Sequence, residues 1–420
     1  MSVDWTRLKA VVIESDDWGL CAWVPDEDAY QALAGTPAWR SAPGRRYGRS
    51  TLESAVDVTR LNETLLGVRG GDGFPPVWQA NTVMAAPDYE RLAGPDFEAE
   101  PFPVVALPDL PSRWQRPGLW GAFEAAIAAG SWWPELHGLH HIPVSAWLDA
   151  LRAGEPDALL AHQHQSMVCT RVEASGEYDS SEPDDLRRAN LERAFDSFTT
   201  AFGRQPLSLC APDYRWDDLL EREAERRDVI LQGKAEQSGS GSAWSRWFQP
   251  PRGLATEGGR FYMPARIPFE PRGDAGGAGR LGAEVVHRKV LDAWKRGEPA
   301  IISSHRLNYA HLDEEWSEEG RATLTDLLGR LASDQAIFLI DAEVRELTLR
   351  GWSARPVGEN GTLVRVYSDT AASIMLEAPE RATGVSMGKG RGSDKAPKLT
   401  GGVLLAELGR GEYLLEWGFS

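Results

Sequence analysis

Leu8-Lys-Ala-Val-Val-Ile-Glu-Ser-Asp-Asp-Trp-Gly19 is the stretch of this 420-residue chain that decides its fold. Its first seven residues form a short apolar run with β-branched side chains, the pattern of a strand buried on both faces. Such strands belong to parallel sheets covered by helices, and chemistry gathers at their C-terminal ends. Here that end carries two adjacent carboxylates, Asp16 and Asp17, which are costly to bury unless a cation or a proton compensates them. One can bind a metal while the other accepts a proton; the alternative is that either merely caps a turn.

Outward from that strand, helix-like and strand-like segments alternate. Residues 52–68 have helical apolar spacing, residues 77–84 (Val-Trp-Gln-Ala-Asn-Thr-Val-Met) read as a second strand, and residues 120–129 as an Ala-rich helix. An amphipathic helix over 184–202 stops at Gly203, and short strands follow at 207–210 and 228–232. Helices at 283–296 and 317–332 alternate with strands at 300–304 and 336–340. This order predicts an α/β fold of parallel strands wrapped by helices, over residues 1–348. After about residue 350 the texture changes to short alternating runs, Thr362-Leu-Val-Arg-Val-Tyr and Tyr413-Leu-Leu-Glu-Trp, separated by Gly, Pro and Asn. Residues 349–420 are therefore expected to form a small β-rich accessory domain. The glycine-rich stretches 238–242 and 272–282 read as surface loops. Gly388-Lys-Gly-Arg-Gly-Ser-Asp-Lys lacks the spacing and following helix of a phosphate loop and reads as a mobile turn.

Composition narrows the function. A formal net charge of -17 and a pI near 5.0 argue against a nucleic-acid partner, whose phosphates need clustered Lys and Arg. Cys21, Cys169 and Cys210 are odd in number and lack metal-type spacing, so they read as small buried hydrophobes. The N-terminus shows no basic start with an apolar run, and no stretch approaches the roughly 20 apolar residues of a membrane span, so a cytoplasmic protein is expected. The 17 tryptophans lean towards glycans, because aromatic faces stack on sugar rings. Oligomerisation is left open.

Three further constellations could carry chemistry. In Glu135-Leu-His-Gly-Leu-His-His-Ile-Pro143, a spacing of four puts the imidazoles of His137 and His141 on one side of a helical turn or tight loop, as metal ligation requires. His140 competes for the second place at a spacing of three. Leu209-Cys-Ala-Pro-Asp-Tyr-Arg-Trp216 is a short strand followed by a polar, aromatic turn that could form one wall of a site. Ile301-Ile-Ser-Ser-His-Arg-Leu-Asn308 places His305 at the end of another buried strand, where a general acid can reach a departing amine. His162 and His164, two apart, read as structural.

In this order the four motifs resemble those of the polysaccharide deacetylases with a nodulation-protein-B homology domain, carbohydrate esterase family 4. The resemblance covers roughly residues 8–348 and implies a distorted (β/α) barrel. It implies Asp16 as catalytic base, Asp17, His137 and His141 as ligands of a divalent metal, and His305 as general acid. The His₂Asp set suits Zn²⁺. The implied reaction removes an N-acetyl or O-acetyl group from a carbohydrate, with a backbone N–H near Tyr214 helping to hold the oxyanion. Trp18, Pro212, Tyr214 and Arg266 are the expected substrate contacts. The chain departs from the family's pattern in two places. Trp18 separates the Asp pair from Gly19, and Cys210-Ala-Pro-Asp stands where an Arg-Pro-Pro-Tyr motif is usual, so the arginine that orients the base is missing. Arg266, in Ala265-Arg-Ile-Pro-Phe-Glu-Pro271, and Arg215 are candidates to replace it, Arg215 being better suited to a surface salt bridge. Alternative readings are the same scaffold acting on a small non-sugar C–N bond, a non-catalytic carbohydrate-binding protein, and a chain whose C-terminal β domain does the docking.

Overall fold

The computed structural model describes residues 3–92, 97, 101–172, 176–232, 261, 263–273, 279–388 and 397–419. The first ten strands are β1 (Ala10–Trp18), β2 (Trp78–Thr82), β3 (Ala85–Pro87), β4 (Val104–Ala106), β5 (Trp132–Leu136), β6 (Ser208–Leu209), β7 (Ile230–Leu231), β8 (Arg266–Pro268), β9 (Ala300–His305) and β10 (Ile337–Leu339). Eight of them form one parallel sheet in the order β7-β6-β5-β2-β1-β9-β8, with β10 also on β1; β3 and β4 make a separate antiparallel pair. The helices expected between the strands are present, among them Ala55–Leu66, Leu119–Ala128, Asp184–Phe202, Ala283–Lys295 and Glu314–Ser333. The architecture is a distorted (β/α) barrel. The distortion is visible on β1: β9 follows one edge from Val11 to Asp16, while β10 and β2 share the other edge, one pairing with Ala10–Val12 and the next with Ile13–Trp18. The outermost strands approach through side chains, Arg266 of β8 donating to Gln232 just past β7 at 2.7 Å.

The period of two along β1 sorts its residues. Val11 and Ile13 pack into the layer that holds the helix residues Leu61, Leu65, Leu324 and Leu328. Ala10 and Val12 pack with Ile230, Ile301 and Leu339 on the other face, the floor of the barrel. Glu14 and Asp16 therefore continue the inward face above an apolar floor. Burying one such Val or Ile side chain contributes about 1.5–3 kcal/mol, so the register is well specified. A slip by one residue would drive both carboxylates into the helix layer. The same parity turns Gln79 and Asn81 of β2 and Ser303 and His305 of β9 inward.

Beyond the helix Asp341–Arg350, which ends at Gly351 with φ 78°, the chain forms two antiparallel sheets. One contains β11 (Trp352–Val357), β12 (Gly361–Val366), β14 (Ala382–Met387) and β17 (Gly411–Phe419); the other contains β13 (Ala372–Glu377), β15 (Lys398–Thr400) and β16 (Val403–Leu408). Their shared core includes Val364, Ile374, Leu404 and Leu415. Buried charges tie these sheets to the barrel: Arg365 pairs with Asp72 at 2.8 Å and with Glu343, and Arg355 reaches Glu343 at 3.2 Å.

All three cysteines are buried and free. Among the described residues no helix is long and apolar enough to cross a membrane. The glycine-rich stretch 238–242, residues 274–278 of the second stretch and residues 389–395 lie outside the described residues. Many of the tryptophans are core residues, while Trp23 lines the cavity that holds Asp16 and Asp17. Trp18, Trp78, Trp114, Trp147 and Trp216 are among the largest fully buried side chains, because a parallel sheet buried on both faces uses bulky rings to fill the space under its helices.

Candidate active site

Side chains alternate along a strand, so Asp16 and Asp17 should point to opposite faces of β1. They do not. Pairing with β2 shifts register between Ser15 and Trp18, and Asp17 takes φ 74°, a left-handed conformation that few residues other than glycine adopt. This bulge turns Asp17 back to the inward side, and both carboxylates line one cavity of about 280 Å³ at the C-terminal ends of the strands. Strain of this kind costs of order 1–3 kcal/mol and concentrates at functional sites. The same bulge sends Trp18 into the core, fully buried, with its indole N–H donating to Ser15 Oγ at 2.9 Å and its ring edge-on to Trp78 and Trp132. The expectation that Trp18 touches substrate is corrected by this placement.

His137 and His141 lie on the turn after β5. Its backbone is left-handed at Gly138 (φ 92°) and His141 (φ 67°), so the pair shares a loop and not a helical turn. A buried carboxylate shapes the loop: Glu177 accepts the backbone N–H groups of Leu139, His140 and His141 at 3.0, 3.1 and 2.8 Å. A Cβ on Gly138 would stand 2.6 Å from Glu177 Oε2, so only glycine lets the carboxylate nest there. The outcome is a triangle. His137 Nε2 and His141 Nε2 are 3.1 Å apart and lie 3.4 and 3.5 Å from Asp17 Oδ1. Three ligands of one tetrahedral zinc at bonds of ~2.0–2.1 Å would be separated by ~3.4 Å, so the triangle has the size that such an ion requires. Nδ1 of His137 donates to the Cys210 carbonyl at 2.8 Å, which leaves Nε2 as the nitrogen facing Asp17 and His141. His140 is fully buried beside Phe102, with burial pushing its pKa down, and it turns away from the triangle. A second grouping, Asp16, His137 and Cys210, also converges, but burial pushes the Cys210 thiol up and away from the thiolate a metal needs.

Asp16 is held from behind. Arg266 grips it with two donors, Nη1 to Oδ2 at 2.7 Å and Nη2 to Oδ1 at 3.1 Å, and Asn81 donates to Oδ1 at 2.6 Å. Burial alone would raise the Asp16 pKa; the Arg266 guanidinium more than reverses this and holds the carboxyl well below the usual range. Arg266 also donates to Gln232 at 2.7 Å, to the Tyr214 hydroxyl at 2.5 Å and to Glu14. Burial pushes the carboxyls of Glu14 and its neighbour Asp341 up, while Asp16 is held down by Arg266. The arginine missing from the third motif is thus supplied from β8. The Arg266 side chain is buried behind Asp16, outside the cavity lining, so it braces that carboxylate, and the expectation that it touches substrate is corrected by this placement.

His305 faces the same cavity from the neighbouring strand, in direct register with Asp16. Its Nδ1 meets Glu270 at 2.5 Å, and Glu270 is in turn held by Asn308 at 2.9 Å and Arg46 at 3.0 Å. Burial acts to lower the His305 pKa, but the Glu270 carboxylate outweighs it and raises the value above that of an ordinary histidine. Tyr214 lines the cavity, whereas Pro212 is buried beneath Gly138 and does not. The Tyr214 N–H is taken by the Ala211 carbonyl at 2.9 Å and that of Arg215 by the Pro212 carbonyl at 3.1 Å, so neither of these two is free to hold an oxyanion. Arg215 makes salt bridges to Asp179 and Asp213, each at 2.7 Å. His162 packs against Tyr89 and Phe97 from the helix Pro156–Gln163, and His164 meets Arg113 at 3.2 Å; both stay outside the cavity.

Sequence reading passed over Asn81, Gln232, Glu177 and Glu270. The first had a signal, since polar Gln79 and Asn81 alternate with apolar residues in an otherwise buried strand. Glu177 had none, because it enters from a loop with no period.

No protein-family model matches the chain, and neither does any curated protein. Solved structures similar to it include one from Mycobacterium smegmatis provisionally described as a polysaccharide deacetylase, at 13% identity and TM-score 0.40, covering 83% of this chain and 93% of that one. Another is a family 4 carbohydrate esterase from Streptomyces lividans in complex with acetate, at 9% identity and TM-score 0.32, covering 78% and 91%. A Thermotoga maritima alpha-fucosidase scores 0.33 at 12% identity, covering 100% and 97%.

Proposed function

We propose that the chain is a metal-dependent deacetylase that hydrolyses an acetyl group, N-linked in the first instance, on a carbohydrate. The observation that carries the reading is one cavity holding a ligand triangle, a carboxylate braced by a buried arginine, and a histidine braced by a buried carboxylate. Asp17, His137 and His141 would hold the cation, and Zn²⁺ suits their donor set. When bound, the cation would supply Lewis acidity, easing deprotonation of water and polarising the acetyl carbonyl. Asp16, kept ionised by Arg266 and aimed by Asn81, accepts the proton of the attacking water. His305, kept protonated by Glu270, gives its proton to the departing nitrogen, leaving acetate and a free amino sugar. The Asp16–His305 pairing of adjacent strands supports this division of roles.

A volume of about 280 Å³ suits a single sugar ring better than a polymer segment, and it suits a small non-sugar amide equally. Profiling acetate release against acid release from simple amides separates these two. The non-catalytic reading loses its motive, because the apparently missing arginine is replaced by Arg266. Residues 349–420 are best taken as an accessory module locked to the barrel through Arg355 and Arg365. The test is Asp16→Asn: metal content should stay at the wild-type level while acetate release is lost. Full activity in that variant would remove Asp16 as the base.

A further inference from the structure

A second cavity, of about 420 Å³, lies next to the catalytic one, and its composition runs against that of the chain. In a protein of net charge -17, four arginines line it, Arg45, Arg46, Arg49 and Arg272, together with Trp39 and Trp316. The fold builds this cluster by joining two segments, through the Ser50–His311 bridge and a Leu312 N–H to the Arg49 carbonyl at 3.2 Å. Nearby carboxylates use only part of the guanidinium donors. Arg46 pairs with Glu270 at 3.0 Å, Arg49 with Glu27 at 2.8 Å, and Arg272 with Glu319, while Asp313 also faces the cavity. Arg45 donates to the Arg40 carbonyl at 2.9 Å and has no acidic partner among the described residues. The Nε atoms of Arg46 and Arg272 are buried without a hydrogen-bond partner. His311, stacked on Trp316 with centroids 4.7 Å apart, is pushed down to about 4 by burial and by the Arg49 cation. Its Nδ1 accepts the Asp313 N–H at 3.0 Å, which leaves Nε2 as one more donor.

Planar guanidinium forks with spare donors match phosphate oxygens. The two cavities share a wall one residue thick. Arg46 faces the arginine cavity, and its neighbour Tyr47 lines the catalytic one, stacked on Trp23, which abuts Trp39. We propose that the arginine cavity binds a phosphate group carried by the substrate itself, so that the acetylated sugar is presented as a phosphate or diphosphate ester and not as a neutral polymer. This rests on the deacetylase reading for the sugar, but the phosphate site stands on its own geometry.

The test uses inorganic pyrophosphate as probe, with binding measured by calorimetry on the full chain. Wild type and His137→Ala/His141→Ala should bind it alike, since the site is not the metal triangle. Arg45→Gln, an exposed change outside the catalytic machinery, should weaken binding about tenfold, as loss of a charge-assisted contact does, and Arg272→Gln should do the same. No binding in wild type, or binding untouched by Arg45→Gln and lost in His137→Ala/His141→Ala, would overturn the proposal. In the second arm, acetate release from N-acetylglucosamine 1-phosphate should show a lower KM than from N-acetylglucosamine, and Arg45→Gln should erase that advantage while leaving the unphosphorylated sugar unaffected. An Arg45-dependent pyrophosphate site with no preference for the phosphorylated sugar would assign the cavity to free phosphate and sink the substrate claim. Acetate from neither sugar, with the pyrophosphate result intact, would sink the deacetylase reading and leave the phosphate site standing.

Discussion

Replacing Arg266 by lysine keeps the positive charge and removes the fork. The guanidinium makes five contacts, two to Asp16 and one each to Glu14, Gln232 and Tyr214. An ammonium has three donors around one atom and cannot grip both oxygens of Asp16 while serving the others. At least two contacts are lost. Hydrogen bonds to charged groups contribute about 1.5–3 kcal/mol each, so a loss of about 3 kcal/mol is expected. If most of it appears as a misaimed base, kcat falls by about 100-fold, at roughly 1.4 kcal/mol per factor of ten. KM should stay within about twofold, because Arg266 lies behind Asp16 and outside the cavity lining. Steady-state acetate release gives kcat and KM, elemental mass spectrometry should show unchanged metal, and circular dichroism should show unchanged secondary structure. A folded Arg266→Lys protein with kcat within about threefold of wild type would refute the claim that this arginine aims the base.

Glu270→Gln tests the acid. Since Glu270 raises the His305 pKa and catalysis needs the protonated ring, kcat/KM falls as pH rises through that raised value, and the variant's alkaline limb should move to lower pH. The sign holds for stability too: a raised histidine pKa stabilises fully below its unfolded value of about 6.5 and the contribution is lost as pH climbs through the folded one, so the melting-temperature gap between wild type and Glu270→Gln should narrow with rising pH. An unshifted alkaline limb would detach His305 from proton donation. Glu177→Gln tests the loop: an amide cannot accept all three N–H groups as a carboxylate does, and metal affinity measured by competition with a chelator should fall about 10–100-fold. Unchanged affinity would show that the turn holds His137 and His141 without Glu177.

The barrel was legible because its strands are buried on both faces, and the run from Leu8 to Glu14 has one reading at that length. The candidate site was legible where a polar, titratable residue ends a buried strand, as at Asp16 and His305. Period-two logic alone would have placed Asp17 outside, and nothing local in the sequence announces the bulge that turns it inward. Trp18 escapes a sequence reading for the same reason, since the bulge is what drops it into the core. Contacts made across the barrel, such as Arg266 on Asp16, join residues 250 positions apart. Position at the end of a strand makes such a residue a candidate, but only the folded sheet shows what it touches.

The central claim is that Asp17, His137 and His141 form a metal site at the heart of the cavity. Elemental mass spectrometry on wild type and on His137→Ala/His141→Ala, prepared in parallel, tests it most directly. The expected result is about one equivalent of divalent metal in wild type and none in the variant, as one tetrahedral site requires. No metal in wild type even after added Zn²⁺ or Co²⁺, or metal retained undiminished by the variant, would contradict it.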